Sequence, residues 1–330
     1  MNSQRTPMKT LRAALILVVA LFAGGPSAQT AGIFPNKPIR LIVAFPPGGP
    51  VDVITRTLAQ QLSESLGQPV VVDNRAGAGG IIGTELVARA TPDGYTLMMA
   101  STTLSIQETL YTNLNYSALR DFTTLAQVAA GPQVLVVNTS VPAKNVQELI
   151  ALAKAQPGKL NYASPSSGGA NHLAGEMLKT MAAIDVLHVP YKGGAAAEVD
   201  LIGGRVTFMF ASLPAALTRV HAGQVRALAV TSSQRVAAAP EIPTLDESGL
   251  PGFEVISWYG VVGPVGIPRD IVTRLNAEIN KALGSPQMKE RMLALGVEGT
   301  PGTVEQFAAF IRRDTAKWAK VIKDSGAKPD

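Results

Sequence analysis

The sequence predicts an α/β fold in which mostly parallel sheets are flanked by helices. Short apolar runs rich in branched residues alternate with segments whose apolar residues recur every three or four positions, the pattern of strands followed by helices. The 330 residues suffice for two modest domains, and 46% of them are hydrophobic while only 5% are aromatic. This composition favours helices packed on a sheet over a β-sandwich.

The first βα series begins with a buried strand at residues 39–45 (IRLIVAF). A helical pattern follows over 53–66, and Gly67 is a suitable residue to end that helix. The series continues with a strand at 70–72, a helix from about 80 to 90 and a third strand at 95–100.

The second series begins with a strand at 134–138. Asn145 and Glu148 then form a capping-box pattern at the start of a helix. Later elements alternate in the same way, and Thr303 with Gln306 opens the last helix. The expected segments between them are strands at 160–163, 186–189, 206–210, 227–231 and 253–262, and helices at 171–183, 195–202 and 271–283.

Two lobes explain the two series better than one long sheet, although a single sheet remains an alternative. We interpret residues 131–132 (GP) and 250–252 (LPG) as the places where the chain crosses between lobes. The predicted boundaries are 32–132 plus 253–330 for lobe 1 and 133–252 for lobe 2. Two such crossovers form a hinge.

Residues 1–31 have the layout of a secretory signal peptide. Basic residues precede an uncharged apolar run at 13–23, and small residues fill 24–31. The run is too short for a membrane span, although an uncleaved anchor is the alternative. We expect cleavage between about Ser27 and Ala31 and a periplasmic location.

Charge and cysteine content exclude several classes of function. Three of the 29 basic residues lie in the predicted signal, which leaves 26 against 24 acidic residues and a net charge of +2. No basic cluster remains that could follow a nucleic-acid backbone. The chain has no cysteine, which excludes disulfides, thiolate metal sites and a cysteine nucleophile.

Three glycine-bearing loops follow predicted strands and precede predicted helices, at residues 45–52 (FPPGGPVD), 164–172 (SPSSGGANH) and 188–194 (HVPYKGG). A helix start at the carboxyl end of a parallel strand offers unpaired N–H groups and the positive end of the helix dipole. Two such loops from separate lobes predict a carboxylate site made of main-chain donors. The alternative for each loop is an ordinary tight turn, and the alternative role of Asp52 is only to cap its helix or complement the helix dipole.

Other chemistries find little support. Residues 77–83 (GAGGIIG) miss the dinucleotide fingerprint because Ile82 stands where glycine is required. The three histidines His172, His188 and His221 lack metal-ligand spacing. A serine hydrolase that uses Ser166 or Ser167 with His172 is the least favoured alternative, since no G-x-S-x-G motif is present.

Many short motifs, in order from about residue 34 onward, resemble one family, the periplasmic solute receptors of tripartite tricarboxylate transporters (the Bug family). The motifs lie at 38–43 (PIRLIV), 45–49 (FPPGG), 67–75 (GQPVVVDNR), 77–80 (GAGG), 92–97 (PDGYTL), 157–161 (PGKLN), 172–176 (HLAGE), 188–193 (HVPYKG), 250–254 (LPGFE) and 305–307 (EQF). The resemblance implies a two-domain Venus-flytrap fold and no catalysis. It also implies delivery of a small carboxylate to membrane permease subunits.

By matching position, the resemblance implies a ligand site shared by the two lobes. Lobe 1 would contribute Phe45, Gly48, Gly49, Asp52, Ser101 and Thr102, and lobe 2 would contribute Ser166, Ser167, Gly168, Asn171, His172, Tyr191, Lys192 and Gly193. Ala211 stands where many relatives carry an acidic residue, which favours a plain carboxylate over an amino acid. The 164–167 segment (SPSS) also departs from the family, which puts direct contacts by Ser166 and Ser167 in doubt.

We expect a monomer without cofactor or metal. A ligand sensor that presents its closed form to a membrane signalling protein would share this fold, and only the partner separates the two readings.

Overall fold

A computed structural model of the chain describes Met1 and residues 34–329. Residues 2–31 of the predicted signal peptide lie outside the described residues. The described chain forms these elements: β1 (Ile39–Val43), α1 (Pro50–Leu66), β2 (Val70–Asn74), a 3-10 turn (Ala78–Gly80), α2 (Ile81–Ala88), β3 (Thr96–Ser101), α3 (Thr102–Leu110), β4 (Phe122–Asn138), α4 (Val146–Ala155), β5 (Asn161–Ser164), α5 (Ala170–Ala182), β6 (Leu187–Pro190), α6 (Gly194–Ile202), β7 (Phe208–Ser212), α7 (Leu213–His221), β8 (Val225–Val230), β9 (Ile256–Pro264), α8 (Arg269–Leu283), α9 (Pro286–Ala294), β10 (Glu298–Gly299) and α10 (Val304–Ser325).

The strands pair in the order β2-β1-β3-β9-β4-β7-β5-β6, with β8 and β10 also pairing with β4. The strands of the first βα series (β2, β1, β3) are parallel to one another, and so are those of the second series (β6, β5, β7). Strand β9 is antiparallel to β3 and β4, and β4 is antiparallel to β7, β8 and β10. Each half is therefore a parallel set completed by antiparallel strands.

Strand β4 belongs to both halves. It pairs with β9 from Phe122 through Pro132 and with β7 from Gln133 onward. The sequence predicts a strand only from 134, because Gly131 and Pro132 resemble a break. Proline is tolerated here because pairing with β9 ends at Pro132 and pairing with β7 begins at Gln133. The missing N–H of Pro132 therefore interrupts neither ladder.

Predicted helix ends are confirmed where a local signal exists. Gly67 ends α1 in the left-handed conformation, with φ 68°. The Asn145 side chain accepts a hydrogen bond from the Glu148 N–H, and Thr303 with Gln306 forms a complete capping box. The sequence does not predict α3, α7 and α9, whose apolar periodicity is short and interrupted by polar residues.

Helix α10 packs on both halves of the molecule. Phe307 and Ile311 lie in the apolar cluster that contains Trp258 of β9, while Trp318 and Ile322 lie in the cluster built on β5, β7 and α5. The helix also contacts α3, α5 and β4. Together with β4, it forms a continuous apolar connection between the halves.

Candidate functional site

The two parallel sets of strands end where β4 changes partners. Ser101, the last residue of β3, lies opposite Tyr259, which pairs with Ala129 of β4. Ser212, the last residue of β7, pairs with Gln133. Since Ala129 and Gln133 are four positions apart on one strand, these two strand ends lie about 13 Å apart along it. The loops that follow the two sets therefore face each other.

A direct contact crosses between these loops. A Cβ atom placed on Gly168 would lie 2.6 Å from Cδ2 of Leu110, at the end of α3. The hydroxyl of the next residue, Tyr111, lies 2.9 Å from the position that a Cβ on Gly79 would occupy. Sequence reasoning missed Leu110 and Tyr111, because no motif marks them and only the packing of α3 brings them here.

The 45–49 turn has the geometry of an open helix start. Gly48 has φ 90°, a conformation that glycine adopts without strain, and Gly49 is the extended N-cap of α1. No atom lies within 4 Å of a Cβ placed on either glycine, so the turn borders open space. The Phe45 carbonyl accepts a hydrogen bond from Asn74 Nδ2 at 3.1 Å, which fixes the start of the turn.

Asp52 stabilises this turn by accepting hydrogen bonds, and its carboxylate is not free to face a ligand. It is 3% exposed, and its Oδ2 accepts hydrogen bonds from Gly48 N and Arg56 Nε, both at 2.9 Å. Its Oδ1 accepts from Asn74 Nδ2 at 2.9 Å. Burial would raise the pKa of Asp52, but the hydrogen bonds from Arg56, Gly48 and Asn74 outweigh it and hold the pKa below 3.8.

The 164–169 turn repeats the same construction in the other half. Gly168 has φ 70°, and Gly169 is the extended N-cap of α5. The Gly168 N–H donates to Nδ1 of His172 at 3.1 Å, just as the Gly48 N–H donates to Asp52 four residues on. Both turns therefore read Gly-Gly-X-X-acceptor, and neither Gly48 nor Gly168 offers its N–H to a ligand.

Donors for an anion come instead from the first turns of the two helices. The first intrahelical bonds are Val53 N to Gly49 O and Leu173 N to Gly169 O. The N–H groups before those bonds belong to the open first turn. Lobe 1 has two of them, on Val51 and Asp52, because Pro50 has no N–H, whereas α5 has three, on residues 170–172.

The other predicted residues of the 164–172 loop take different positions. Ser166 is exposed. Among the described residues, the Ser167 Oγ is a buried hydroxyl without a hydrogen-bond partner. Asn171 Nδ2 donates to the Phe210 carbonyl at 2.7 Å, which ties the start of α5 to the end of β7.

The third predicted loop, residues 188–194, is held to the second by backbone hydrogen bonds. Tyr191 N donates to Ser164 O, and Gly193 N donates to Pro165 O, both at 2.9 Å. The Tyr191 hydroxyl donates to Asp200 on α6 at 2.7 Å, whereas Lys192 is exposed. Gly193 has φ 116° and no atom within 4 Å of its Cβ position. This loop therefore supports the second turn and borders open space itself.

The three remaining predicted residues lie at the ends of β3 and β7 or at the start of α3. Ser101 is the half-buried N-cap of α3, and the buried Thr102 hydroxyl accepts a hydrogen bond from Trp258 N at 3.0 Å. Ala211 is 4% exposed and packs in an apolar cluster with Val134 and Val136. Its side chain lies inside this layer, so the structure does not bring it together with the two turns.

A serine and a histidine do meet, but not in a hydrolytic arrangement. Ser164 Oγ lies 2.7 Å from Nε2 of His188 and donates its hydrogen to the Ser166 carbonyl at 2.9 Å. A hydroxyl has one hydrogen, so His188 must be the donor in the first bond. A histidine in that tautomer cannot take a proton from Ser164, which is fully buried.

Residues 34–329 contain no group of three or more histidine, cysteine or acidic side chains placed to hold a metal ion. Within the same residues, no helix has the length and apolar character required to cross a membrane.

Comparison with known proteins decides the family. Residues 54–327 match the model of the tripartite tricarboxylate transporter family receptor. The chain belongs to this receptor family. The receptor is 40% identical over 321 residues to the protein BugT of Bordetella pertussis, covering 95% of this chain and 98% of BugT.

Solved structures agree with the fold. The receptor superposes on R. palustris Rpa4515 with adipate at a TM-score of 0.81 and 35% identity, covering 90% of this chain and all of that one. It superposes on MatC from Rhodopseudomonas palustris, with bound malate, at 0.79 and 29% identity, covering 88% and 100%. The prediction of a two-lobed α/β solute-binding protein of the Bug family, and not an enzyme, is confirmed.

Proposed function

We propose that the receptor captures a small carboxylate between its two lobes in the periplasm and delivers it, as a monomer, to the permease subunits of a tripartite tricarboxylate-type transporter. The observation that carries the proposal is a pair of matched helix starts, one in each half, that follow strands of the two parallel sets whose carboxyl ends face each other where β4 changes partners. Related structures hold adipate and malate, which are both dicarboxylates.

The charged side chains at the site supply little net positive charge. Attraction of an anion would therefore depend mainly on main-chain N–H donors. Asp52 is neutralised by Arg56 at 2.9 Å, and the exposed Lys192 is the cation of the 188–194 loop. Charge-assisted hydrogen bonds from N–H groups to an ionised carboxylate are about twice as strong as bonds between neutral groups. The dipoles of α1 and α5 add to the attraction.

For the moving parts we propose residues 32–132 with 253–330 as lobe 1 and residues 133–252 as lobe 2. The change of partner in β4 between Pro132 and Gln133 supports the first crossover. Val255 N donates to Thr231 O just before β9 begins at Ile256, which supports a second crossover near residue 253. Rotation at the two strands would close the donors of both lobes on the ligand.

A thermal-shift screen of carboxylates, followed by calorimetry, tests the proposal. Adipate and malate are the first probes, and the matching amides adipamide and malamide are uncharged controls. We expect one or more of the acids to raise the melting temperature, because a ligand that binds only the folded state stabilises it by mass action. Failure of every di- and tricarboxylate at millimolar concentration would contradict the proposal.

A further inference from the structure

Two histidine rings are stacked beneath the 164–169 turn. The ring centroids of His172 and His188 lie 3.9 Å apart with an interplanar angle of 12°. The ring of Tyr162 stacks on His188 at 4.9 Å and continues toward Phe208 at 5.5 Å. The pair is thus held in one orientation by an aromatic column that rises from β5 and β7.

Each ring holds one end of the turn through a different nitrogen. His172 Nδ1 accepts the Gly168 N–H at 3.1 Å, so this nitrogen carries no proton. His188 Nε2 donates to Ser164 Oγ, which in turn donates to the Ser166 carbonyl. The two rings therefore fix Ser166 and Gly168, the residues on either side of the buried Ser167 hydroxyl.

The surroundings keep His188 uncharged. Burial is the main reason that the pKa of His188 falls from 6.5 to about 3, and the proximity of His172 and Lys179 lowers it further. On α5, Glu176 is 5% exposed and pairs with Lys179 at 2.9 Å. The Tyr162 hydroxyl also donates to Glu176 at 2.7 Å, so this carboxylate is already occupied.

Neutrality distinguishes this turn from its counterpart in lobe 1. There the acceptor for the Gly48 N–H is the carboxylate of Asp52, which places negative charge within the first turn of α1. In lobe 2 the acceptor is an imidazole, and α5 has no acidic residue in its first turn. The positive end of α5 is therefore not offset by a neighbouring anion.

We propose that His172 and His188 are positioning residues that act as a stacked neutral pair, shaping the 164–169 turn so that the first-turn N–H groups of α5 grip the carboxylate. This inference rests on the proposed function for its ligand. It adds His188, which does not belong to the predicted contact residues, and it assigns His172 to the support of the turn through its side chain.

Matched substitutions test the pair, because asparagine imitates Nδ1 of histidine and glutamine imitates Nε2. We expect His172→Leu and His188→Leu each to weaken adipate or malate binding about tenfold, the equivalent of one lost hydrogen bond. His172→Asn and His188→Gln should recover most of that loss. His172→Asp keeps the acceptor but adds negative charge, and should bind about tenfold more weakly than His172→Asn.

The exposed His221, at the end of α7, provides the control: His221→Gln should bind like the wild type, with affinities measured by calorimetry. Folded leucine variants with wild-type affinity would overturn the inference, and so would equal affinities of His172→Asp and His172→Asn.

A ligand-free readout separates this inference from the proposed function. Nitrogen-15 chemical shifts should identify a bare Nδ1 on His172 and a protonated Nε2 on His188 in the free protein at pH 7. The Gly168 amide signal should move in His172→Leu and stay near its wild-type position in His172→Asn. Opposite tautomers would refute the positioning pair even if carboxylates bind, whereas a wild type that binds no carboxylate would refute the proposed function alone.

Discussion

At the scale of single residues, the two turns depend on side chains that never need to touch a ligand. Asp52 and His172 occupy the same position in α1 and α5, three residues after the N-cap glycine, and each accepts the N–H of the glycine before that cap. The sequence identifies both as candidate contacts, but a motif cannot distinguish a residue that binds from one that supports. Only the distances make that distinction.

Replacement of Asp52 with alanine should lower the free energy of unfolding by about 2 kcal/mol, because the donors on Gly48, Arg56 and Asn74 lose a buried acceptor. Asp270 is the control, since it is also acidic in a first turn but exposed, and its replacement should cost at most about 0.5 kcal/mol. Urea unfolding at pH 7 measures both. The pKa of Asp52 is lowered, so its contribution should shrink as the pH falls below 3.8. Equal losses in the two variants would contradict this account.

His188 should make stability depend on pH. Its pKa is 6.5 when unfolded and falls to about 3 in the folded protein, so between these values the unfolded chain binds the additional proton. The free energy of unfolding is therefore highest with respect to this proton above pH 6.5 and decreases as the pH falls toward 3. Denaturant unfolding should show wild type losing stability faster than His188→Gln over this range. Parallel pH profiles would rule the effect out.

At the scale of elements, the βα units were predictable and their connections were not. Buried strands such as β1 and helices with clear caps such as α4 and α10 have local signals, namely an apolar run, an Asn145 cap or a Thr303 capping box. The part of β4 before residue 134 has no such signal, because Pro132 is acceptable only in view of the strands on either side. The same holds for the site, whose glycine turns were visible while Tyr111 and His188 were placed by packing.

One buried hydrogen bond links β9 to α10 and can be tested directly. Trp258 Nε1 donates to Asp314 Oδ2 at 2.7 Å, and Asp314 is 4% exposed, with Lys317 at 3.5 Å. Trp258→Phe should cost about 3 kcal/mol, because it leaves a buried carboxylate short of a donor. Adding Asp314→Leu should recover part of this loss, giving a coupling of about 1 kcal/mol or more in a double-mutant cycle by urea unfolding. Strictly additive costs would show that the bond contributes nothing.

At the scale of the whole molecule, the two halves also contact each other at two places. Gly168 contacts Leu110, and a Cβ on Gly296, after α9, would lie 2.3 Å from Cδ of Pro214 in α7. Gly131 lies beside the second contact, since its Cβ position is 2.5 Å from the Gly296 carbonyl. Closure of the lobes must be compatible with both contacts.

A methyl group at Gly296 should therefore act as a wedge between the lobes. Gly296→Ala should weaken carboxylate binding, whereas Gly326→Ala should not, because Gly326 has no atom within 4 Å of its Cβ position. The two glycines have nearly equal φ values of 64° and 67°, so backbone strain should cost both variants a similar amount of stability, about 1 kcal/mol, and the overlap with Pro214 should add to that cost in Gly296→Ala. Calorimetry with adipate or malate gives the affinities, and equal affinities would exclude a wedge.

The packing of α10 across the lobes has a practical consequence. The chain has two tryptophans, and both are fully buried at this junction: Trp258 lies opposite Ala130 of β4, and Trp318 lies on α10. Indole emission responds to small changes in the polarity and packing around the ring. Capture of a solute could therefore be followed in the unlabelled protein by its intrinsic fluorescence, and replacing each indole with phenylalanine in turn would assign the signal to the strand or to the helix.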